Sequence, residues 1–168
     1  EGPDYMFGWG LMNTERAANI IIEDTSQNVI DELVLTDGSE YTRTVAAPGG
    51  ADLRVTICWT DVPGTPLDPE LNPREPLLVN DLDLKFTAND ITYYPYSLNP
   101  ENPSAAATTD TKNYVDNVEV ILIQNVSAAA HEISVTHEGE LTNGEQAFSL
   151  IISGIIDLPL PACSEALI

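Results

Sequence analysis

Short apolar segments separated by turn clusters run through most of this chain, and they constrain its fold more than any other feature. From about Ile20 onward, stretches rich in β-branched and aromatic residues alternate with clusters of Gly, Pro, Asn, Asp and Ser. Such stretches predict strands, in which every second side chain faces the same side of a sheet. The predicted strands span residues 29–35, 40–46, 53–60, 78–87, 91–96, 118–125, 131–138 and 146–153.

Eight strands with almost no helix predict an all-β fold, specifically an eight-stranded antiparallel jelly-roll β-sandwich. One short helix precedes it, over residues 11–18, with Asn13 or Thr14 near its N-cap. A helix this short needs a surface to pack on, and we expect that surface to lie outside the sequence. The opening Glu1-Gly2-Pro3-Asp4 follows no signal peptide, so we expect a piece cut from a longer precursor.

The charge of the chain narrows its range of partners. Its 168 residues include 27 Asp and Glu but only 6 Lys and Arg, which gives a net charge of -21. Nucleic acid and anionic membrane surfaces are excluded as partners, because both require basic patches. No apolar run approaches the roughly 20 residues of a membrane helix. An excess of carboxylates this large favours divalent cations, which neutralise the charge as they bind, a salty environment, or both.

One of the predicted strands carries carboxylates where an ordinary strand would not. In the stretch Leu78-Val79-Asn80-Asp81-Leu82-Asp83-Leu84, alternation places Leu82 and Leu84 on one face and Asp81 and Asp83 on the other. Strands disfavour Asp, so the pair needs an explanation beyond propensity. Ligation of Ca²⁺, which takes six to eight oxygen ligands, supplies one. The alternative is a solvent-facing strand edge whose charges discourage pairing with other strands.

Two other strand ends carry the same kind of side chain. Trp59-Thr60-Asp61 closes the strand that begins at Leu53, and Asp116-Asn117-Val118-Glu119 opens the strand that continues through Val120. These side chains could instead cap turns, as Asx side chains commonly do. The sequence therefore predicts a calcium site with these ligand candidates: Asp61, Asn80, Asp81, Asp83, Asp116, Asn117 and Glu119.

Several of these strings resemble a known family. The segment Gly8-Trp9-Gly10-Leu11-Met12-Asn13, with Gly2-Pro3-Asp4-Tyr5, is similar to the end of the catalytic domain of subtilisin-like serine proteases. The Asn80–Leu84 and Asp116–Glu119 strings, with the terminal Phe148–Gly154, resemble the β-sandwich that follows that domain in some bacterial subtilases. That sandwich is also loosely similar to the P domain of kexin and furin. The resemblance covers residues 1 to about 156.

The resemblance implies a division of the chain and a role for each part. Residues 1–20 would be the remnant of a protease catalytic domain, 21–156 a calcium-binding jelly roll that stabilises or positions the protease, and 157–168 a linker or tail. The implied partner is the upstream catalytic domain, with protein substrate or a surface polysaccharide as further partners, and the implied location is secreted or at the cell surface. The sandwich of that family carries no catalytic residue, and this chain has no Gly-Thr-Ser nucleophile motif, so we expect no peptidase activity.

Two matters stay open at the level of sequence. A carbohydrate-binding or adhesive sandwich is the alternative function, with Tyr93, Tyr94 and Tyr96 as a sugar-stacking platform beside a long loop. The only two cysteines are Cys58, in an apolar strand, and Cys163, in the Pro-rich tail. Cys163 could pair with Cys58 or with a residue outside the sequence.

Overall fold

The computed structural model describes residues 2–24, 27–71 and 73–156. The predicted tail 157–168, and with it Cys163, lies outside the described residues. The elements, in chain order, are α1 (Thr14–Ile22), β1 (Asn28–Thr36), β2 (Tyr41–Ala46), β3 (Leu53–Cys58), β4 (Asp81–Ala88), β5 (Ile91–Tyr93), β6 (Val118–Ile123), β7 (Ala130–Glu138), a single 3₁₀ turn (Thr142–Gly144) and β8 (Glu145–Ser153).

The strands form two antiparallel sheets of four strands each, so the all-β prediction is confirmed. One sheet has the order β1-β8-β3-β6 and the other the order β2-β7-β4-β5. Neighbours within each sheet are mostly distant in sequence: β1 pairs with β8 over its whole length, from Asn28 opposite Ser153 to Thr36 opposite Glu145. Pairing between the first and last parts of the chain therefore builds the sheet that contains β1 and β8.

The core lies between the two sheets and follows the alternation of the strands. In β3, Leu53, Val55 and Ile57 are fully buried, and the residues between them are only partly buried. In β4, Leu82, Leu84 and Phe86 are buried in the same cluster. Burying each such side chain stabilises the fold by about 1.5–3 kcal/mol. The face of β4 predicted to be apolar is thus part of the core.

The helix begins later than its predicted position. Asn13 is the N-cap, and its side-chain oxygen accepts a hydrogen bond of 2.9 Å from the N–H of Arg16. The helix then continues to Ile22 and has no buried residue. Ile21 and Ile22 are 66% and 77% exposed. No helix in the described ranges is long and apolar enough to cross a membrane.

The strand predicted from Leu78 begins instead at Asp81, and a side chain from the loop after β3 explains the difference. The Asp61 carboxylate accepts hydrogen bonds from the N–H groups of Val79 and Asn80, at 2.6 and 2.9 Å. These groups are thereby taken out of any sheet ladder. Asp61 also closes the long Pro-rich connection from β3 to β4.

Candidate metal site

Most of the predicted ligand candidates lie at one end of the sandwich. There β3 ends, β4 and β6 begin and β7 ends, as shown by the pairing of Cys58 with Val118 and of Asp81 with Glu138. The β4 and β6 strands belong to different sheets. Side chains from this end of the molecule can therefore meet across the gap between the sheets.

Asp83 is the most unusual residue of β4. The alternative of a solvent-facing strand edge would leave Asp83 exposed, yet it is only 1% exposed. Asp81, two residues earlier, is half-buried. A buried carboxylate is costly unless charge and hydrogen bonds compensate it, because it loses its hydration. The surroundings of this pair must therefore supply that compensation.

Glu119 approaches the same pair from the other sheet. It is the second residue of β6 and is completely buried. Its Oε2 accepts a hydrogen bond of 2.6 Å from the N–H of Leu84 in β4. That N–H is available because β5 is short and pairs with β4 only at residues 86–88. Glu119 thus connects the two sheets through one carboxylate oxygen.

The other oxygens of these carboxylates have no hydrogen-bond partner. Within the described chain, Asp81 Oδ1, Asp83 Oδ1 and Glu119 Oε1 are all buried and unpartnered. Burial raises the pKa of Glu119 to about 9, with Asp83, Asp81 and Asp116 adding repulsion, although the Leu84 N–H opposes the shift. Burial, followed by the charges of Asp83 and Glu138, raises the pKa of Asp81 to about 6. The positive charge near these carboxylates is thus too small to offset their burial and their mutual repulsion.

Among the described residues, a cation from the loop between β5 and β6 contacts the cluster. Lys112 Nζ lies 2.8 Å from Asp83 Oδ2, and it also forms an ion pair with Glu138 at the end of β7. Lys112 holds the pKa of Glu138 below its usual value. Burial lowers the pKa of Lys112, but its hydrogen bonds to Asp83 and Glu138 raise that pKa overall. Sequence reasoning missed both residues, because a loop lysine and a strand-end glutamate far apart in the chain give no local signal.

Two of the predicted ligands, Asp61 and Asn80, already form hydrogen bonds with backbone and amide groups. Both Asp61 oxygens accept backbone hydrogen bonds, Oδ1 from Val62 and Asn80 and Oδ2 from Val79. The Asn80 side-chain oxygen accepts from the N–H of Thr142 at 2.8 Å, and its Nδ2 donates to Gln146 Oε1 at 2.8 Å. These two side chains hold the loop ends in place, and their role as ligands stays a prediction.

The side chains before β6 are also bonded to the protein. Asp116 Oδ2 accepts from Asn113 Nδ2 at 3.1 Å, and Asn117 Nδ2 donates to the Trp59 carbonyl at 2.7 Å. Asn113 is 1% exposed and also bonds the Tyr96 carbonyl and the N–H of Val115. These bonds fix the backbone beside Lys112. Ligation by Asp116 or Asn117 stays a prediction as well.

The donor set fits a hard divalent cation. Asp81, Asp83 and Glu119 each offer a buried oxygen with no other partner, and carboxylate oxygens are the ligands that Ca²⁺ prefers. In the described ranges, however, no group of three or more His, Cys, Asp or Glu side chains already stands in an arrangement that would hold a metal ion. The side chains would therefore have to move to complete a coordination shell.

Comparison with known proteins adds no identification. No protein-family model matches the sequence, and a search of curated proteins finds no similar one.

Proposed function

We propose that this chain is a calcium-binding β-sandwich domain with no catalytic role of its own. The observation that carries the proposal is the set of three buried, unpartnered carboxylate oxygens on Asp81, Asp83 and Glu119. Several kcal/mol is the usual penalty for burying such a charge without compensation. A divalent cation bound to these oxygens would remove that penalty, and it would balance part of the net charge of -21.

The ion would have a structural effect because of where its ligands lie. Asp81 and Asp83 belong to β4, and Glu119 belongs to β6 in the opposite sheet. A cation held by both strands would cross-link the two sheets at one end. A ligand that binds only the folded state raises the free energy of unfolding. Once the ligand concentration exceeds Kd, this rise grows with the logarithm of that concentration. The expected function is therefore calcium-dependent stabilisation.

We propose further that the sandwich is a jelly roll. The strand orders β1-β8-β3-β6 and β2-β7-β4-β5 support this, because each sheet alternates strands from the first and second halves of the chain. Two Greek-key arrangements folded together give such orders. In this arrangement the β3–β4 and β5–β6 connections, which supply Asp61 and Lys112, lie at the same end.

The biological setting that we propose is an accessory domain of a secreted subtilisin-like protease. It rests on the resemblance of the glycine-rich opening and of the two acidic strings, together with the exposed helix α1. That helix has no buried residue, and Ile21 and Ile22 present an apolar face. An upstream catalytic domain would supply the surface on which this face packs. The calcium-loaded sandwich would then stabilise or position the protease.

Calorimetric titration with Ca²⁺ after treatment with EGTA tests the metal role. We expect saturable binding, with a rise of several degrees in Tm that EGTA reverses and that Mg²⁺ reproduces only weakly. Asp83→Asn should remove the calcium-dependent rise. The matched control is Asp110→Asn, which changes an exposed loop carboxylate and should keep it. A Tm that responds to neither calcium nor EGTA would refute the proposal.

The carbohydrate-binding alternative has less support. The ring of Tyr93 contacts Phe86 edge-on at a centroid distance of 6.0 Å, and the ring of Tyr96 contacts Trp9 in the same way at 6.2 Å. Tyr93 and Tyr96 thus use part of their ring surface for internal packing. Retention on insoluble polysaccharide that is lost in Tyr94→Ala would favour this alternative.

A further inference from the structure

We infer that Lys112 is an internal competitor of the calcium ion: its ammonium group occupies a cation position among the site carboxylates and lowers the affinity for calcium. The inference rests on the proposed function, because it concerns the same cluster. It goes beyond that function in assigning a residue that regulates how readily the site is filled.

The contacts of Lys112 place its charge inside the cluster. Its Nζ lies 2.8 Å from Oδ2 of Asp83, which is 1% exposed, and it also pairs with Glu138. Asp83 and Glu138 come from β4 and β7, adjacent strands of one sheet. The ammonium group thus neutralises two carboxylates from two strands, as a bound cation would. The ammonium group does not reach the free oxygens of Asp81 and Glu119, however, so none of its three N–H donors satisfies them.

Competition follows from charge and from the orientation of Asp83. A divalent ion bound to Asp83 Oδ1 would lie within a few ångströms of the Lys112 ammonium, and the two positive charges would repel each other. Lys112 also holds the Asp83 carboxylate through its other oxygen. While this bond holds Asp83, no group of side chains among the described residues is arranged to bind a metal ion.

The Lys112 side chain can move away from Asp83 and Glu138 while the loop that carries it stays folded. The neighbouring Asn113 is buried and hydrogen-bonded to the backbone of Tyr96 and Val115, so the chain is anchored there. The Lys112 side chain is 36% exposed, and its partner Glu138 is 59% exposed. Exposed ion pairs contribute little to stability, so losing the Glu138 contact costs little. Rotation of side-chain bonds would suffice to move the ammonium group into solvent.

Calorimetric titration of Lys112→Met with calcium tests the inference. We expect a Kd at least about tenfold lower than in the wild type, since a positive charge near the ion is removed. The calcium-free variant should melt at a lower temperature, because Asp83 loses its partner, and its calcium-dependent rise in Tm should be larger than that of the wild type. The control Lys85→Met removes the same charge further along β4, where Lys85 forms no ion pair within the part of the chain that the structure describes. Its Kd should change less than about threefold.

A second measurement needs no variant. Lys85 and Lys112 are the only lysines in the sequence, so acetylation of each can be followed by mass spectrometry. If calcium displaces the ammonium group, the acetylation rate of Lys112 should rise several-fold on addition of calcium, while that of Lys85 stays constant. This result would hold even if Lys112→Met failed to fold.

The outcomes separate this inference from the proposed function. Calcium binding by the wild type with an unchanged Kd in Lys112→Met would overturn the inference and leave the proposed function intact. If the acetylation rate of Lys112 does not change when calcium binds, calcium does not displace the ammonium group and the inference is overturned. Binding by the variant alone would support the inference and would refute calcium-dependent stabilisation of the wild-type protein. Binding by neither protein would overturn both.

Discussion

Two groups of acidic and amide side chains lie at the same end of this sandwich and differ in what satisfies them. Asp61 and Asn80 have hydrogen bonds to backbone and amide groups at every side-chain oxygen. Asp81, Asp83 and Glu119 each keep one buried oxygen with no partner. The protein supplies a hydrogen-bond donor for every side-chain oxygen of the first group. Among the residues described, it supplies none for one buried oxygen of each residue in the second group.

The difference shows how similar residues at strand ends take different roles. Asp61 lies in a loop, where backbone N–H groups are free to converge on it. Asp83 and Glu119 lie in strands, where most neighbouring N–H groups are already used in the sheets. The strand carboxylates therefore depend on charge for compensation. The contrast indicates loop closure for the first group and supports the proposed cation binding by the second.

The largest expected effect is the loss of loop closure in Asp61→Ala. Three backbone N–H groups, those of Val62, Val79 and Asn80, would lose a charged acceptor, which should lower the free energy of unfolding by about 3 kcal/mol. Urea unfolding measures this loss, with and without calcium. Asp68→Ala, in the exposed part of the same connection, should change stability by less than about 0.5 kcal/mol. A loss confined to the calcium-loaded protein would instead place Asp61 among the ligands.

Glu119→Gln should separate the two functions of one carboxylate. The amide oxygen of Gln can still accept the hydrogen bond from the Leu84 N–H, so we expect the fold to be kept. Removal of the negative charge should weaken calcium binding about 100-fold in a calorimetric titration. Glu32→Gln changes an exposed glutamate that contacts Ser149 and serves as the matched control. Equal calcium affinity in both variants would remove Glu119 from the site.

The calcium-free protein should become less stable as the pH rises. The pKa of Glu119 is raised from 4.5 to about 9 in the folded protein, so between these values the folded chain holds more protons than the unfolded chain. The free energy of unfolding then decreases with increasing pH. We expect Tm in EGTA to fall by several degrees from pH 6 to pH 9, with a smaller fall in Glu119→Gln. Parallel curves for the two proteins would contradict the assignment.

The smallest effect is expected from Asp116→Asn. Asp116 is half-buried and its charge acts on Glu119, but its Oδ2 already accepts a hydrogen bond from Asn113. The substitution should weaken calcium binding about threefold, as expected for a charge near the ion but outside its shell. Comparison with Asp110→Asn by calorimetric titration corrects for the change in net charge. A loss as large as that of Glu119→Gln would make Asp116 a direct ligand.

The sequence was sufficient to predict the class of the fold and to single out strand-end carboxylates that the fold brings to one end of the sandwich. Alternation in β3 and β4 identified the faces that form the core, because burial on one side of a sheet imposes a period of two residues. The acidic strings around Asp81 and Glu119 were recognised because strands disfavour such side chains. Both signals are local, and local signals can be read without knowing which strands become neighbours.

The remaining features depend on contacts between distant parts of the chain. Lys112 meets Asp83 and Glu138 only after β4 and β7 have paired and the loop has crossed their end. The hydrogen bond between Glu119 and the Leu84 N–H depends on the short β5, which leaves that N–H free. The late start of β4 results from hydrogen bonds to Asp61 in another segment. No periodicity within one segment records these contacts.

The packing of Trp59 gives the protein a fluorophore beside the candidate site. Its indole N–H donates to the carbonyl of Asn80 at 3.0 Å, next to Asp81, and the ring is 5% exposed. Trp9, the other tryptophan of the sequence, is 48% exposed and contacts Tyr96 edge-on. Emission from Trp59 should therefore be blue-shifted relative to that of Trp9 and should change in intensity when a cation draws the Asp81 backbone toward it. Titrations can then be followed by intrinsic fluorescence, without a label.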